Sequence, residues 1–238
     1  MSTKLVEKNG IFILTIPTSF TLDTILAIES HLDTVDSFTG PCSLIICSSH
    51  PKVFSGGISL KSITDSGLIA GVKIGQSLAK LCSRLLMSKI PTVAAINGHV
   101  VAGGFLFALS LDYRVMNQNH GVIKMNEVEL GIVITRGGIE VLKAKVSPTV
   151  HRDLIFRAKT FNAQEAVQAK IVDYAVDADQ VMTKSLEIAE ELKQFGEKKE
   201  VYEQLKSSCY YEHIKIGAFA EFPLMFVEAM KVKKNPQI

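Results

Sequence analysis

The chain has 238 residues, of which 47% are hydrophobic and 21% are charged. Such a length and composition are typical of one globular domain with a sizeable core, and they exclude a disordered, collagen-like or coiled-coil protein. The 26 Lys and Arg residues nearly balance the 24 Asp and Glu residues, so the net charge is +2. This balance argues against a nucleic-acid-binding protein, in which basic residues concentrate on one surface.

No apolar run of the sequence reaches the length that spans a bilayer. The N-terminal residues lack the features of a signal or transit peptide, and residues 235–238 are not a peroxisomal tripeptide. The four cysteines form no C-x-x-C pair and have no metal-like spacing with histidine. We therefore expect an intracellular, soluble protein without a metal, located in the cytosol, or in the peroxisome by an import route that this sequence does not reveal.

The hydrophobic pattern predicts strands that alternate with helices along the chain. The predicted strands cover residues 11–16, 43–48, 92–97, 113–116, 122–125 and 172–176. The predicted helices cover residues 21–35, 68–87, 102–111, 137–146, a segment from 148, 163–170, the region from 179 onward and a last stretch near 218–231. This alternation is typical of an α/β protein with largely parallel strands. A charged interruption near 195–199 predicts a core of residues 1–195 and a C-terminal helical region of residues 196–238.

Several common catalytic motifs are absent from the sequence. Gly98 and Gly103 have the spacing of a P-loop, but Gly104 stands where the phosphate-binding Lys is required. The sequence has no G-x-G-x-x-G after a strand, no G-x-S-x-G and no H-E-x-x-H. These absences argue against a P-loop protein, a dinucleotide-binding Rossmann fold, a serine hydrolase and a zinc protease.

Two glycine-rich segments remain, at residues 53–60 and 97–104. Each follows a predicted buried strand, and the second opens a predicted helix near Ala102. Small residues let a ligand approach the backbone N–H groups of such turns. Two N–H groups that converge on one point would form an oxyanion hole for a developing enolate. The alternative is that these glycines only permit turns.

Taken together, the two segments resemble the crotonase (enoyl-CoA hydratase/isomerase) superfamily, over roughly residues 10–190. The resemblance rests on five segments in the family's order: F-S-G-G-I-S-L-K at 54–61, I-P-T-V-A-A-I-N-G-H-V-V-A-G-G at 90–104, L-D-Y-R-V at 111–115, N-E-V-E-L-G-I at 126–132 and A-Q-E-A-V-Q-A-K-I-V-D at 163–173. It implies a spiral of ββα turns with a C-terminal helical oligomerisation region, an acyl-CoA ligand, and a homotrimer or a dimer of trimers.

The resemblance also implies roles for individual residues. The oxyanion-hole donors map onto the backbone N–H groups of Ile58 and Gly103. The first turn and its surroundings are expected to bind the substrate and its CoA moiety, through Ser55, Gly56, Gly57, Ile58, Ser59, Leu60, Lys61, Gly103 and Leu106. Lys61 is either a contact to a CoA phosphate or an ordinary surface lysine. No separate cofactor is expected, because coenzyme A is part of the substrate.

The expected reaction follows from two positions of the family pattern. Hydratases of the family use two glutamates, but the first position carries Leu106 here, and the second region keeps Glu127. The N-E-x-x-L-G-I pattern resembles Δ3,Δ2-enoyl-CoA isomerases, in which one glutamate moves a proton between carbons. Apolar neighbours such as Leu106 and Ile132 are expected to raise the pKa of Glu127 by desolvation.

Alternatives to this interpretation stay open at this stage. If the strand that contains Ile123 continued, the side chains of Glu127 and Glu129 would both point inward, because alternate residues of a strand share a face. Glu129 is therefore an alternative to Glu127 as the base. We prefer Glu127 because it matches the glutamate of the family motif. The reaction is alternatively hydration, dienoyl-CoA isomerisation or thioester hydrolysis on the same fold. A third possibility is a non-catalytic acyl-CoA-binding protein, in which Glu127 is an ordinary exposed acid.

Overall fold

The computed structural model of the protein describes residues 3–59 and 67–218. The strands are β1 (Lys4–Lys8), β2 (Ile11–Ile16), β3 (Ser43–Ser48), β4 (Val53–Ser55), β5 (Thr92–Ile96), β6 (His99–Val101), β7 (Tyr113–Asn117), β8 (Ile123–Lys124) and β9 (Tyr174–Val176). The α-helices are α1 (Leu22–Ser37), α2 (Leu68–Leu86), α3 (Gly103–Leu109), α4 (Glu127–Leu130), α5 (Arg136–Lys145), α6 (Pro148–Arg157), α7 (Ala163–Gln168), α8 (Val181–Leu192) and α9 (Lys199–Ala218). Short 3₁₀ helices cover Ala178–Gln180 and Lys193–Glu197.

The larger sheet has six strands in the order β1-β2-β3-β5-β7-β9. Only β1 runs antiparallel to its neighbour, and the other pairs are parallel. Helices form the crossover connections that parallel neighbours require. The sheet confirms the predicted α/β class with largely parallel strands.

The smaller sheet contains β4, β6 and β8, which are also parallel. Each of them follows a strand of the larger sheet after a short turn, and each is followed by a helix. The chain therefore repeats strand, strand, helix three times, as β3-β4-α2, β5-β6-α3 and β7-β8-α4. This repeat confirms the predicted ββα turns, and it places the first residues after β4, β6 and β8 side by side at one edge.

Apolar side chains cover both faces of the larger sheet. Along β3, Leu44 and Ile46 belong to the main core with Phe54 and the helix α3, whereas Ile45 faces a second cluster that includes Ile188 of α8. Because both faces are buried, the strands have continuous apolar sequences rather than alternating ones. The helix α9 packs against α5 and α2. Among helices in the described part of the chain, none is long and apolar enough to cross a membrane.

Most predicted elements are confirmed with shifts of a few residues at their ends. Two predicted strands that flank the turn at 117–121 lie in different sheets, since β7 belongs to the larger sheet and β8 to the smaller one. The helical stretch expected near 218–231 lies outside the described residues beyond 218. The division of the chain at 195/196 stays a prediction.

The strand β8 does not continue through Glu127, so the parity that Glu127 and Glu129 would share on a continued strand does not apply. The strand β8 ends at Lys124, opposite the last residue of β6, Val101. Beyond this point β8 pairs with no further strand of the described residues. The chain instead forms the short helix α4, which ends at Gly131 in the left-handed region with φ +64°.

Candidate active site

The turn after β4 contains one backbone N–H that has no hydrogen-bond partner among the described residues. Phe20 pairs with this turn in a parallel bridge, in which Phe20 N donates to Gly57 O at 2.8 Å and Ser59 N donates to Phe20 O at 2.9 Å. The N–H of Ile58 lies between these two bonds, and it donates to no residue in the described part of the chain. The hydrogen bonds of Gly57 and Ser59 to Phe20 therefore fix the turn on both sides of the Ile58 N–H.

A buried hydroxyl fixes the same turn from below. Ser55 is fully buried, and its Oγ accepts a bond from Gly57 N at 3.2 Å and donates to Thr18 O at 3.3 Å. Thr18 O also accepts from Gly56 N at 2.8 Å. These bonds make Ser55 a support of the turn rather than part of the cavity wall.

The second turn connects β6 to α3. Ala102 adopts φ +54°, a conformation that is uncommon for a residue with a Cβ. Its N–H donates to Lys124 O of β8 at 2.9 Å, and its carbonyl accepts from the N–H groups of Phe105 and Leu106. The N–H of Gly103, the first residue of α3, donates to none of the described residues, as is usual in the first turn of a helix.

Glycine allows the two turns to approach each other. Gly57 has φ +84°, and a Cβ added there would lie 2.9 Å from Gly103 N and 3.1 Å from Gly104 N. A Cβ at Gly103 would lie 2.8 Å from Cδ2 of Leu78 and 3.9 Å from Cγ1 of Ile58. The N–H groups of Ile58 and Gly103, which have no partner among the described residues, therefore belong to two turns that line the same space.

This space is a cavity of about 160 Å³. Its described walls come from both turns, one face of α2, and the segment that contains α4 and the start of α5. The lining residues are Gly56, Ile58, Gly75, Leu78, Ala79, Cys82, Val101, Ala102, Gly103, Leu106, Asn126, Glu127, Leu130, Ile132, Val133, Ile134, Thr135 and Gly138. Glu127 is the one ionisable carboxylate in this set, and Leu106 contributes an apolar wall.

The carboxyl group of Glu127 has no counter-ion among the residues that the structure describes. Its Oε2 atom is buried and has no hydrogen-bond partner among the described residues. Burial raises the pKa of Glu127 to about 7, and a bond from its own backbone N–H offsets part of this effect. A carboxyl group with this pKa accepts and returns a proton near neutral pH.

Glu129 has different surroundings. Its side chain is 52% exposed and forms an ion pair with Lys124 at 2.8 Å. The helical geometry of α4 separates the directions of the two side chains, whereas a continued strand would have aligned them. Glu129 does not line the cavity.

The structure brings several of the sequence-predicted site residues together and separates others. Gly56, Ile58, Gly103, Leu106 and Glu127 line the cavity, and Gly57 lies directly behind it. Ser55 lies beneath the turn, and Ser59 is half-buried beside it. Leu60 and Lys61 lie outside the described residues.

Other residues of the cavity were not predicted from the sequence. Asn126 precedes Glu127, and Thr135 caps α5 by accepting a bond from Gly138 N at 3.1 Å. Gly75, Ala79 and Cys82 lie at helical spacing on α2, so a signal for this wall was present in the small side chains of one helix face. Burial raises the pKa of the Cys82 thiol to about 12, which keeps it protonated and unreactive. The part of the chain that is described contains no cluster of metal-binding side chains.

Comparisons with known proteins identify the family of the chain. A family model described as enoyl-CoA hydratase/isomerase matches residues 32–215. The chain is 34% identical over 217 residues to enoyl-CoA delta isomerase 3 of Arabidopsis thaliana, which covers 87% of this chain and 91% of the relative. It is 32% identical over 219 residues to the peroxisomal enoyl-CoA delta isomerase 2 of the same plant, with the same coverage of each chain.

A solved structure supports the assignment of the fold. The crystal structure of an enoyl-CoA hydratase from Mycobacterium ulcerans superposes with a TM-score of 0.83 at 23% identity, over 99% of this chain and 100% of that one. The fold, the order of motifs and the match of the family model to most of the chain lead to one assignment. The chain belongs to the crotonase, or enoyl-CoA hydratase/isomerase, superfamily of acyl-CoA enzymes.

Proposed function

We propose that the protein is a Δ3,Δ2-enoyl-CoA isomerase, which moves a double bond from the 3-position to the 2-position of an acyl-CoA thioester. The observation that carries the proposal is the single buried carboxyl group of Glu127, which shares an apolar cavity with the free N–H groups of Ile58 and Gly103. This arrangement provides one proton acceptor and two donors for one oxygen.

In the proposed reaction, the thioester oxygen accepts hydrogen bonds from the N–H groups of Ile58 and Gly103. Glu127 removes a proton from C2, and the electrons of that bond form an enolate on the thioester oxygen. The N–H groups stabilise this negative charge, since they are already oriented and need no rearrangement. Glu127 then returns the proton at C4, the double bond lies between C2 and C3, and the carboxylate is regenerated.

The absence of a second carboxylate on the described cavity wall favours isomerisation over the usual two-glutamate hydration. The position that carries a glutamate in hydratases is Leu106 here, and this side chain neither binds nor activates water. The apolar wall also keeps the enolate in a water-poor space, where the interactions of charged groups are strong. The names of the two plant relatives, both enoyl-CoA delta isomerases, support the same choice.

The remaining parts of the proposal follow the family. The CoA moiety is expected along the first turn, from Ser55 to Leu60, with Lys61 near a phosphate. We expect a homotrimer or a dimer of trimers, a role in the β-oxidation of unsaturated fatty acids, and a peroxisomal or cytosolic location. No cofactor besides the CoA of the substrate is needed for the proton transfer.

The direct test is turnover of trans-3-hexenoyl-CoA, followed through the absorbance of the conjugated 2-enoyl thioester. Glu127→Gln keeps the size of the side chain and removes the base, so we expect kcat to fall by about 10³. Glu129→Gln is the matched control, because it makes the same chemical change in an exposed ion pair two residues away, and we expect kcat to stay within about twofold.

Loss of turnover in Glu129→Gln but not in Glu127→Gln would transfer the role of base to Glu129. Binding of the acyl-CoA without turnover by the wild-type protein would contradict the isomerase proposal altogether.

A further inference from the structure

The three turns that connect the larger sheet to the smaller one each carry a histidine. His50 lies between β3 and β4, His99 is the first residue of β6 after the turn from β5, and His120 lies between β7 and β8. All three residues are exposed. These turns lie at the amino ends of β4, β6 and β8, whereas the cavity lies at the carboxyl ends of the same strands. The histidines therefore belong to a surface that the proposed reaction does not use.

Two glycines bring the second and third of these turns into contact. Gly121 has φ +122°, and a Cβ added there would lie 2.7 Å from the carbonyl carbon and oxygen of Gly98. The second turn is also fixed to the first, because His99 N donates to Lys52 O at 2.9 Å. Since His99 follows Gly98 and His120 precedes Gly121, the contact between the glycines makes the two histidines neighbours in space.

The side chains of His99 and His120 lie close enough to share a ligand. Their ring centroids are 6.5 Å apart, and the ring planes are inclined by 36°. Within the described part of the chain, neither ring has a hydrogen-bond partner. Each neutral imidazole therefore has a nitrogen lone pair that can bind a metal ion. An ion at about 2 Å from one nitrogen of each ring needs centroids roughly 5 to 6 Å apart, which exposed side chains reach by small rotations.

The third histidine is not available in the same way. His50 Nδ1 accepts a bond from Lys52 N at 3.1 Å. In the neutral ring the other nitrogen then carries the proton, so no lone pair is left for a metal. The backbone carbonyl of His50 also accepts a bond from Nδ2 of Asn97, which fixes the turn. The geometry therefore selects His99 and His120 from the three histidines of this surface.

We propose that His99 and His120 form a surface site that chelates one divalent transition-metal ion of the Zn²⁺, Ni²⁺ and Cu²⁺ class. Imidazole nitrogen suits these ions, whereas Mg²⁺ and Ca²⁺ prefer oxygen ligands. No group of three or more metal-binding side chains occurs among the described residues, so water completes the coordination of the ion. The ion joins the turn before β6 to the turn before β8 and thereby stabilises the folded chain. The proposal does not depend on the proposed isomerase activity.

The test is calorimetric titration of the untagged protein at pH 7.5, with Ni²⁺ as the probe. We expect one ion per chain, and a Kd at least tenfold higher in His99→Gln and in His120→Gln, because the second bond of a chelate forms within the molecule. His50→Gln is the matched control, since it makes the same change at an exposed histidine of the neighbouring turn, and its Kd should stay within twofold. The double variant His99→Gln/His120→Gln should bind little more weakly than either single variant, since the first substitution already breaks the chelate.

Thermal unfolding provides an independent measurement and the control for folding. Because both rings are exposed and have no hydrogen-bond partner among the described residues, the metal-free variants should have the Tm of the wild type. Excess Ni²⁺ should raise the Tm of the wild type and of His50→Gln more than that of the other variants, and Mg²⁺ should raise none. Absence of Ni²⁺ binding by the wild type, equal weakening by all three single substitutions, or additive losses in the double variant would overturn the proposal.

Discussion

The cavity and the region where α9 packs on the core differ in the hydrogen bonding of their buried polar groups. Near α9, one carboxylate oxygen of Asp112 accepts bonds from the backbone N–H and hydroxyl of Thr92, both at 3.0 Å, from Tyr202 at 3.4 Å and from Lys206 at 2.8 Å. We call these four residues the Asp112 cluster. In the cavity, by contrast, Oδ1 of Asn126 and Oε2 of Glu127 have no protein donor among the described residues.

The difference separates structural from functional polar groups. The Asp112 cluster compensates the burial of its charges internally, because Lys206 and Asp112 are 10% and 13% exposed and paired with each other. The two cavity oxygens have no such compensation among the described residues, so their burial costs stability. Both regions are partly buried, so burial alone does not distinguish them. They differ in whether their polar atoms have hydrogen-bond partners.

The largest expected effect comes from breaking the paired region. Asp112→Asn removes the negative charge from the Asp112 cluster and leaves the buried ammonium of Lys206 without its counter-ion. We expect the free energy of unfolding to fall by about 4 kcal/mol, measured by urea denaturation. Asp33→Asn is the control, since it removes an exposed ion pair with Arg84 and should cost less than about 1 kcal/mol. If both variants lowered the free energy of unfolding equally, the Asp112 cluster would not be the buried, stabilising ion pair described above.

Replacing the cavity carboxylate by an amide, in Glu127→Gln, should raise the free energy of unfolding rather than lower it. The pKa of Glu127 is raised from 4.5 to about 7 in the folded protein. Between these values the folded state keeps a proton that the unfolded state has lost, so stability falls as the pH rises. Glu127→Gln cannot ionise, and we expect it to be more stable than the wild type by about 3 kcal/mol at pH 8, with a smaller gain at pH 5. If Glu127→Gln were less stable than the wild type at pH 8, the claim that the Glu127 carboxylate is buried without a counter-ion would be wrong.

A third variant tests the contact between the two turns. In Gly57→Ala, the new Cβ would collide with the backbone of Gly103 and displace the donors of the proposed oxyanion hole. We expect kcat to fall by about 100-fold, as for the loss of one oxyanion donor. Gly40→Ala has the same kind of backbone strain at φ +102°, with open space around it, and should leave kcat unchanged. A similar kcat for both variants would argue against the role of the turn.

The smallest effect is the dependence of kcat/KM on pH. A base must be deprotonated to act, so kcat/KM for trans-3-hexenoyl-CoA should rise with pH and reach a plateau above an apparent pKa near 7. At pH 6 we expect about one tenth of the plateau value. A profile that is flat from pH 5.5 to 8.5 would show that no group with the pKa of Glu127 controls the reaction.

The long elements of the fold could be predicted from the sequence because their apolar residues repeat over several turns or fill a whole buried strand. The pattern predicted β2, β3 and β5 within one residue of their bounds. The strands β4 and β6 were not predicted, since three residues are too few to show a period. These short strands nevertheless hold the two turns of the cavity.

The site could be predicted only in part, for a related reason. The glycine pattern and the resemblance led to Ile58, Gly103 and Glu127, whose backbone or charge is specified by a motif. The direction of Glu127 depends on where β8 loses its partner strand, and the free oxygen of Asn126 depends on a cap bond that is not made. Both are properties of tertiary contacts that a local pattern does not contain.

The most direct test of the central claim, a proton shuttle by one carboxyl group, is the fate of the hydrogen that leaves C2. Trans-3-hexenoyl-CoA with deuterium at both C2 positions is converted in a single turnover in ordinary water, and the product is analysed by mass spectrometry and NMR. Because Glu127 is enclosed in an apolar cavity, we predict that deuterium from C2 is found at C4 of the product. A product with only protium at C4 would contradict the shuttle, since the hydrogen at C4 would then come from solvent or from another acid.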